Sequence, residues 1–94
     1  MAPEKAAGED LPMRRRRLRY RAWHRGTKEM DLVLGPFADA HLDGFDTPEL
    51  DRLEALMDKE DTDLLKWVMG QEPVPAGTDA ALLDTIVSFR LRTQ

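Results

Sequence analysis

The 94 residues contain no cysteine, which excludes a disulfide framework, a thiolate metal site and a thiol nucleophile. Histidine is scarce too. His24 and His41 stand far apart and make a poor zinc cluster, so no metal site is expected. No stretch approaches the eighteen or so consecutive apolar residues of a membrane span. The opening "MAPEKAAGEDLP" lacks the apolar run of a signal peptide and carries acids that transit peptides avoid. A cytoplasmic protein is expected, with no membrane partner. No Gly-rich phosphate loop is present, and no Ser, His and Asp occur in a recognisable local frame. Asp58, Glu60, Asp61 and Asp63 cluster, but their spacing misses the calcium-loop pattern and reads as helix punctuation on a solvated face. The expectation is therefore a non-enzyme that holds no cofactor stably.

What the chain does have is charge, unevenly placed. The formal net charge is −4, yet residues 14–28 carry eight Arg and Lys and no acid, while residues 29–94 carry five basic groups against fifteen acidic ones. The sign flips at Glu29, inside "WHRGTKEMD". A basic segment of this kind steers toward any acidic surface, and charge alone does not choose which.

Ninety-four residues suit one small domain with a modest core. Residues 1–12 read as a flexible, proline-bearing leader and residues 13–94 as a single helical domain. Over residues 13–24 nothing breaks a helix; Arg14, Arg17 and Arg21 fall on one stripe and Leu18 and Ala22 on another. Gly26 then stops the run and is expected to cap the next helix, with Glu29 at its third position as capping partner. That second helix has the clearest period: Met30, Val33, Leu34, Phe37, Ala38 and His41 form one buried stripe. Gly35-Pro36 lies within it, so a kink or a break is expected there. His41, alone at the end of the stripe, reads as a core-edge residue.

Three more helices follow. "FDTPELDRLEALMD" predicts Thr47 as N-cap, Pro48 at the first helical position, and Leu50, Leu53 and Met57 on one face. "EDTDLLKWVMG" predicts Asp61 as cap, Leu64, Leu65 and Val68 as face with Trp67 beside them, and Gly70 as stop. "TDAALLDTIVSFRLR" opens on Thr78 or Asp79, packs Leu82, Leu83, Ile86, Val87 and Phe89, and closes on Arg90 and Arg92. No run alternates with period two for long enough to make a strand. The fold class is all-α, a small bundle of about five short helices.

The arginine-rich arm "RRRRLRYRAWHR" has the composition of a nucleic-acid surface, and equally of a protein-docking helix. The acidic remainder repels a polyanion, which favours a local protein contact in which Arg14, Arg17, Arg21 and His24 are candidate docking side chains. A small nucleic-acid-binding protein using residues 14–25 and a toxin–antitoxin-type interaction protein stand as alternatives.

Arg25-Gly26-Thr27-Lys28-Glu29, with Asp31 two residues on, resembles the Arg-Gly-x-x-Glu signature of the FAD assembly factor SdhE family. "DTDLLKWVMG" is similar to that family's Asp-x-Asp-Leu-x-x-Trp segment, and the likeness runs from about Arg15 to Leu91. The resemblance implies a five-helix, non-enzymatic factor of the bacterial cytoplasm. It implies binding to the flavoprotein subunit of succinate dehydrogenase, and of fumarate reductase where that is present, and promotion of covalent FAD attachment to a histidine of that subunit. It also implies that Arg25, Gly26 and Glu29, with Asp31, form the functional surface and that His24 is their neighbour.

Overall fold

The computed structural model describes residues 9–93. Five α-helices follow one another: α1 (Leu11–Trp23), α2 (Lys28–His41), α3 (Thr47–Met57), α4 (Asp61–Val68) and α5 (Ala80–Arg92), with a 3-10 turn (Leu42–Gly44) between α2 and α3. No strand occurs among the described residues. α2 is central, packing against α1, α4 and α5, while α1 also packs on α3.

Four of the five starts are set by a side chain that accepts an unpaired backbone N–H of the first turn. α1 begins earlier than expected because the Asp10 carboxylate accepts from the Met13 N–H at 2.9 Å and Pro12 sits in the first turn. Residues 1–8 of the expected leader lie outside the described residues, whereas Glu9 and Asp10 are bonded to α1. Gly26 is not the cap of α2. Thr27 is, its hydroxyl accepting from the Met30 N–H at 3.3 Å, because Gly26 lies at φ +107°, far from the extended conformation a cap adopts. Thr47 is likewise displaced by Asp46, which exchanges both bonds of a capping box with Glu49; a carboxylate one residue earlier completes the reciprocal pair. In α4 the cap position falls to Glu60, which makes no capping hydrogen bond, because Asp61 turns its carboxylate elsewhere. Asp79 caps α5, accepting from the Leu82 N–H at 3.0 Å, and Gly70 past the end of α4 has φ +72°.

Most of the core lies where the periodicity marked it, with Leu42 and Leu56 added and Leu65, Val87 and Phe89 only partly buried. Leu18 and Ala22, Met30 to Ala38 along the α2 stripe, Leu50, Leu53 and Met57, Leu64 and Val68, and Leu82, Leu83 and Ile86 are all buried. His41 stays at the core edge, stacked on Phe37 with ring centroids 4.3 Å apart. Pro36 does not break α2, which is continuous from residue 28 to residue 41. Gly35 has a different task. A Cβ there would overlap the Trp23 indole, so the missing side chain lets α1 and α2 close on each other, and the Trp23 N–H reaches Asp39 at 3.3 Å.

The arginine stripe of α1 faces inward onto α3. Glu54 is buried, and it receives Arg14 at 2.9 Å, Arg17 at 2.8 Å and Arg21 at 3.6 Å. Arg14 also holds Asp51 at 2.7 Å, and Arg17 binds Glu9 at 2.8 Å. Arg14 extends the buried Leu18–Ala22 stripe by one turn, so its charge is tolerated only because two carboxylates meet it. Burial by itself would raise the pKa of Glu54, but hydrogen bonds from Arg17 and Arg14 outweigh it and hold the carboxyl below its ordinary 4.5. A hydrogen bond from Arg17 lowers Glu9 in the same way.

Three outcomes are expected. Glu54→Gln leaves Arg14 with Asp51 as its one remaining countercharge and should cost about 2 kcal/mol, read as a fall in melting temperature of roughly 8–16 °C for a domain of this size. Both folded-state pKa values lie below the unfolded ones, so the stability from Glu54 and Glu9 is complete above pH 4.5 and is lost as pH falls through the folded values. Urea titrations from pH 6 down to pH 3 should show that loss, and the Glu54→Gln protein should show less of it. Gly35→Ala should destabilise by about 1–3 kcal/mol through overpacking against Trp23, measurable in the same titrations.

Candidate functional site

The link between α1 and α2, residues 24–27, is four residues long and is held at both of its ends. The Arg25 backbone N–H donates to the Asp31 carboxylate at 2.6 Å, which ties the link to the first turn of α2. The Arg25 guanidinium points the other way, through the bundle to α4. It binds Asp61 through Nε at 2.9 Å and through Nη2 at 2.8 Å, and donates to the Lys59 carbonyl at 3.2 Å. Its side chain is only 9% exposed. One residue thus fixes α1, α2 and α4 relative to each other, and the two segments that carry the SdhE-like signature meet in space.

Gly26 follows at φ +107°, a conformation that glycine alone adopts without strain. An added Cβ would touch only Asp61 Oδ2 at 3.9 Å, an ordinary contact, so the glycine is demanded by the backbone and not by crowding within the chain. Glu29 lies in the first turn of α2 and is exposed. With Thr27 as the cap, Glu29 has no capping role, and among the described residues its carboxylate has no hydrogen-bond or ion-pair partner. Of the predicted set, the structure therefore brings Arg25, Gly26 and Asp31 into one internal lock and presents Glu29 beside it.

The other basic candidates are placed differently. Arg14, Arg17 and Arg21 are committed to Glu54 and its neighbours, with Arg21 also reaching Asp58 at 3.0 Å. His24 is exposed, stacked on Tyr20 with centroids 3.9 Å apart, its Nδ1 2.7 Å from the Tyr20 carbonyl oxygen. It lines a cleft of about 640 Å³ together with Gly26, Lys28 and Asp31. On the far side of Leu32 lies a second, apolar cleft of about 620 Å³ with Glu29 at its margin. Leu32 borders both clefts and is 55% exposed.

Two contributors were not legible as site residues. Asp61 reads from the sequence as punctuation, since its partner is thirty-six positions away. Leu32 carries a signal, being an apolar residue off the buried stripe of α2.

A family described as flavinator of succinate dehydrogenase matches residues 16–90. The chain belongs to that family. It is 37% identical to the FAD assembly factor SdhE of Acetobacter pasteurianus over 86% of this chain and 74% of that protein. It is 40% identical to the mitochondrial succinate dehydrogenase assembly factor 2 of Debaryomyces hansenii over 69% of this chain and 46% of that one. The counterpart in Penicillium rubens is 33% identical over 89% of this chain and 27% of its own length, so the chain spans less than half of these mitochondrial relatives. No solved structure matches it. As a member of the flavinator family the chain is a maturation factor and not a catalyst, and no helix among the described residues is long and apolar enough to cross a membrane.

The lock predicts a measurable coupling. A double-mutant cycle on Arg25→Ala and Asp61→Ala should give an interaction energy of about 1–3 kcal/mol in urea denaturation; strictly additive single effects would show that the pair does not hold the link.

Proposed function

We propose that this chain binds the flavoprotein subunit of succinate dehydrogenase, and of fumarate reductase where that enzyme is present, and promotes covalent attachment of FAD to a histidine of that subunit. The observation that carries the proposal is the contrast within the signature: Arg25, Gly26 and Asp31 are spent on an internal lock, while Glu29 is exposed beside them and, among the described residues, unpaired. An anionic side chain held on a rigid helix turn next to a residue without a Cβ suits close approach by a partner backbone.

Joining flavin to a histidine requires the isoalloxazine to be held against the ring nitrogen and negative charge to be stabilised on the flavin as the bond forms, which is positioning and electrostatics. This chain needs to supply neither a nucleophile nor a bound flavin. Tighter binding to the competent arrangement of the flavoprotein than to others shifts the population toward it. FAD then belongs to the partner, and this chain holds none stably. The relationship to the Acetobacter protein supports a bacterial cytoplasmic setting. His24, on the cleft beside Gly26, is the one member of the arginine-rich arm's candidate set on this face; Arg14, Arg17 and Arg21 support it from behind by holding α1 on α3.

Glu29→Gln separates this role from a structural one. It deletes a charge that has no internal partner, so the melting temperature should stay within about 2 °C of the parent. Covalent flavin in the flavoprotein subunit, read by in-gel fluorescence from cells carrying the variant, should fall. Undiminished fluorescence with a folded variant would remove Glu29 from the site.

A further inference from the structure

The apolar cleft of about 620 Å³ lies between α2, the end of α4 and α5, walled by Leu32, Pro36, Leu65, Met69 and Phe89. Leu32 is 55% exposed and Met69 47%, although both are large apolar side chains for which water is the unfavourable surrounding. Concave, mostly apolar clefts with a few polar groups at the rim are the usual form of binding sites, and Leu32 and Met69 share one here. Its rim is bipolar. Glu29 from the start of α2 and Arg90 from the end of α5 both line it, and among the described residues neither side chain is ion-paired, a state Arg90 shares with Arg15, Arg16 and Arg92 and one that leaves both rim charges available to a ligand.

We propose that this α2–α4–α5 groove is a second docking element for the flavoprotein subunit, taking an apolar segment of it that carries a basic side chain toward Glu29 and an acidic one toward Arg90. The inference rests on the function proposed above and extends the contact beyond the Arg-Gly-x-x-Glu turn. Two features select this occupant. The groove is continuous with that turn through Glu29, so one partner bound at the turn is already adjacent to it. Its surface is concave, and two copies of one concavity do not fill each other, which a two-fold self-association through this face would require. Leu32 and Met69 then act as anchors that become desolvated on binding, and the two rim charges fix the direction of the inserted segment.

The test uses the full chain and the purified flavoprotein subunit with isothermal titration calorimetry. Leu32→Asp and Met69→Asp change half-exposed positions, so both should fold, and each should weaken binding at least tenfold; Met69→Leu should bind like the parent. Arg90→Glu should weaken binding and Arg90→Lys should retain it. Hydrogen exchange on the unaltered complex gives an independent reading, with protection expected over residues 65–69 and 89–93. Parent-like binding by the Asp variants, or no protection over those residues, would overturn the groove while leaving the turn in place. Absence of any binding by the parent chain would overturn the proposed function and the groove with it. An effect of Leu32→Asp and Met69→Asp on self-association alone, measured by light scattering, would assign the groove to a second copy.

Discussion

The arrangement of the bundle turns on how Arg25 is held. Its backbone N–H is fixed by Asp31 and its guanidinium by Asp61 and the Lys59 carbonyl, so the link between α1 and α2 cannot rotate without breaking bonds to two other helices. The positive φ of Gly26 accompanies that double attachment, because the chain must reverse direction within four residues while Arg25 points inward. Where α2 begins, and hence which way Glu29 faces, is set by this lock. The remainder of α2 then runs with its stripe against α1, α4 and α5, and its off-stripe residue Leu32 is left facing outward between two clefts.

A second constraint is electrostatic. Segregating basic residues into one helix and acidic residues into the rest of the chain creates a strong internal attraction that the fold discharges at the α1–α3 contact. Three arginines converge on Glu54, and outlying carboxylates of Glu9, Asp51 and Asp58 complete the set. A cluster like this is costly to desolvate, and its members hold only in company. It does specify register, because sliding α1 by one turn along α3 would place Arg14 in the core without a countercharge. The arm that looks from composition like a polyanion-binding surface is thus largely occupied within the molecule.

Together the two constraints divide labour within the family signature. The residues that read as one functional motif are, in the fold, a structural lock with a presented acid beside it. Such an arrangement suits a factor whose task is to hold a partner in one geometry. A surface offered for positioning must not itself move, and here the acid sits on a helix turn tied to two further helices, next to an apolar groove that shares its rim.

The sequence by itself determined the five-helix architecture, the core faces and the location of the signature. Helical periodicity is local, and the burial of Met30, Val33, Leu34 and Phe37 follows from spacing alone. Its errors were also local: caps were misplaced by one residue at Gly26, Thr47 and Asp61, since neighbouring polar residues compete for the same N–H groups and the chain's direction decides between them. The internal commitment of Arg14, Arg17 and Arg21 to Glu54, and the pairing of Arg25 with Asp61, could not be read in advance. Those contacts join residues more than thirty positions apart. Only the packing of whole helices decides which charges meet, which stay in water, and therefore which of the signature residues are left exposed.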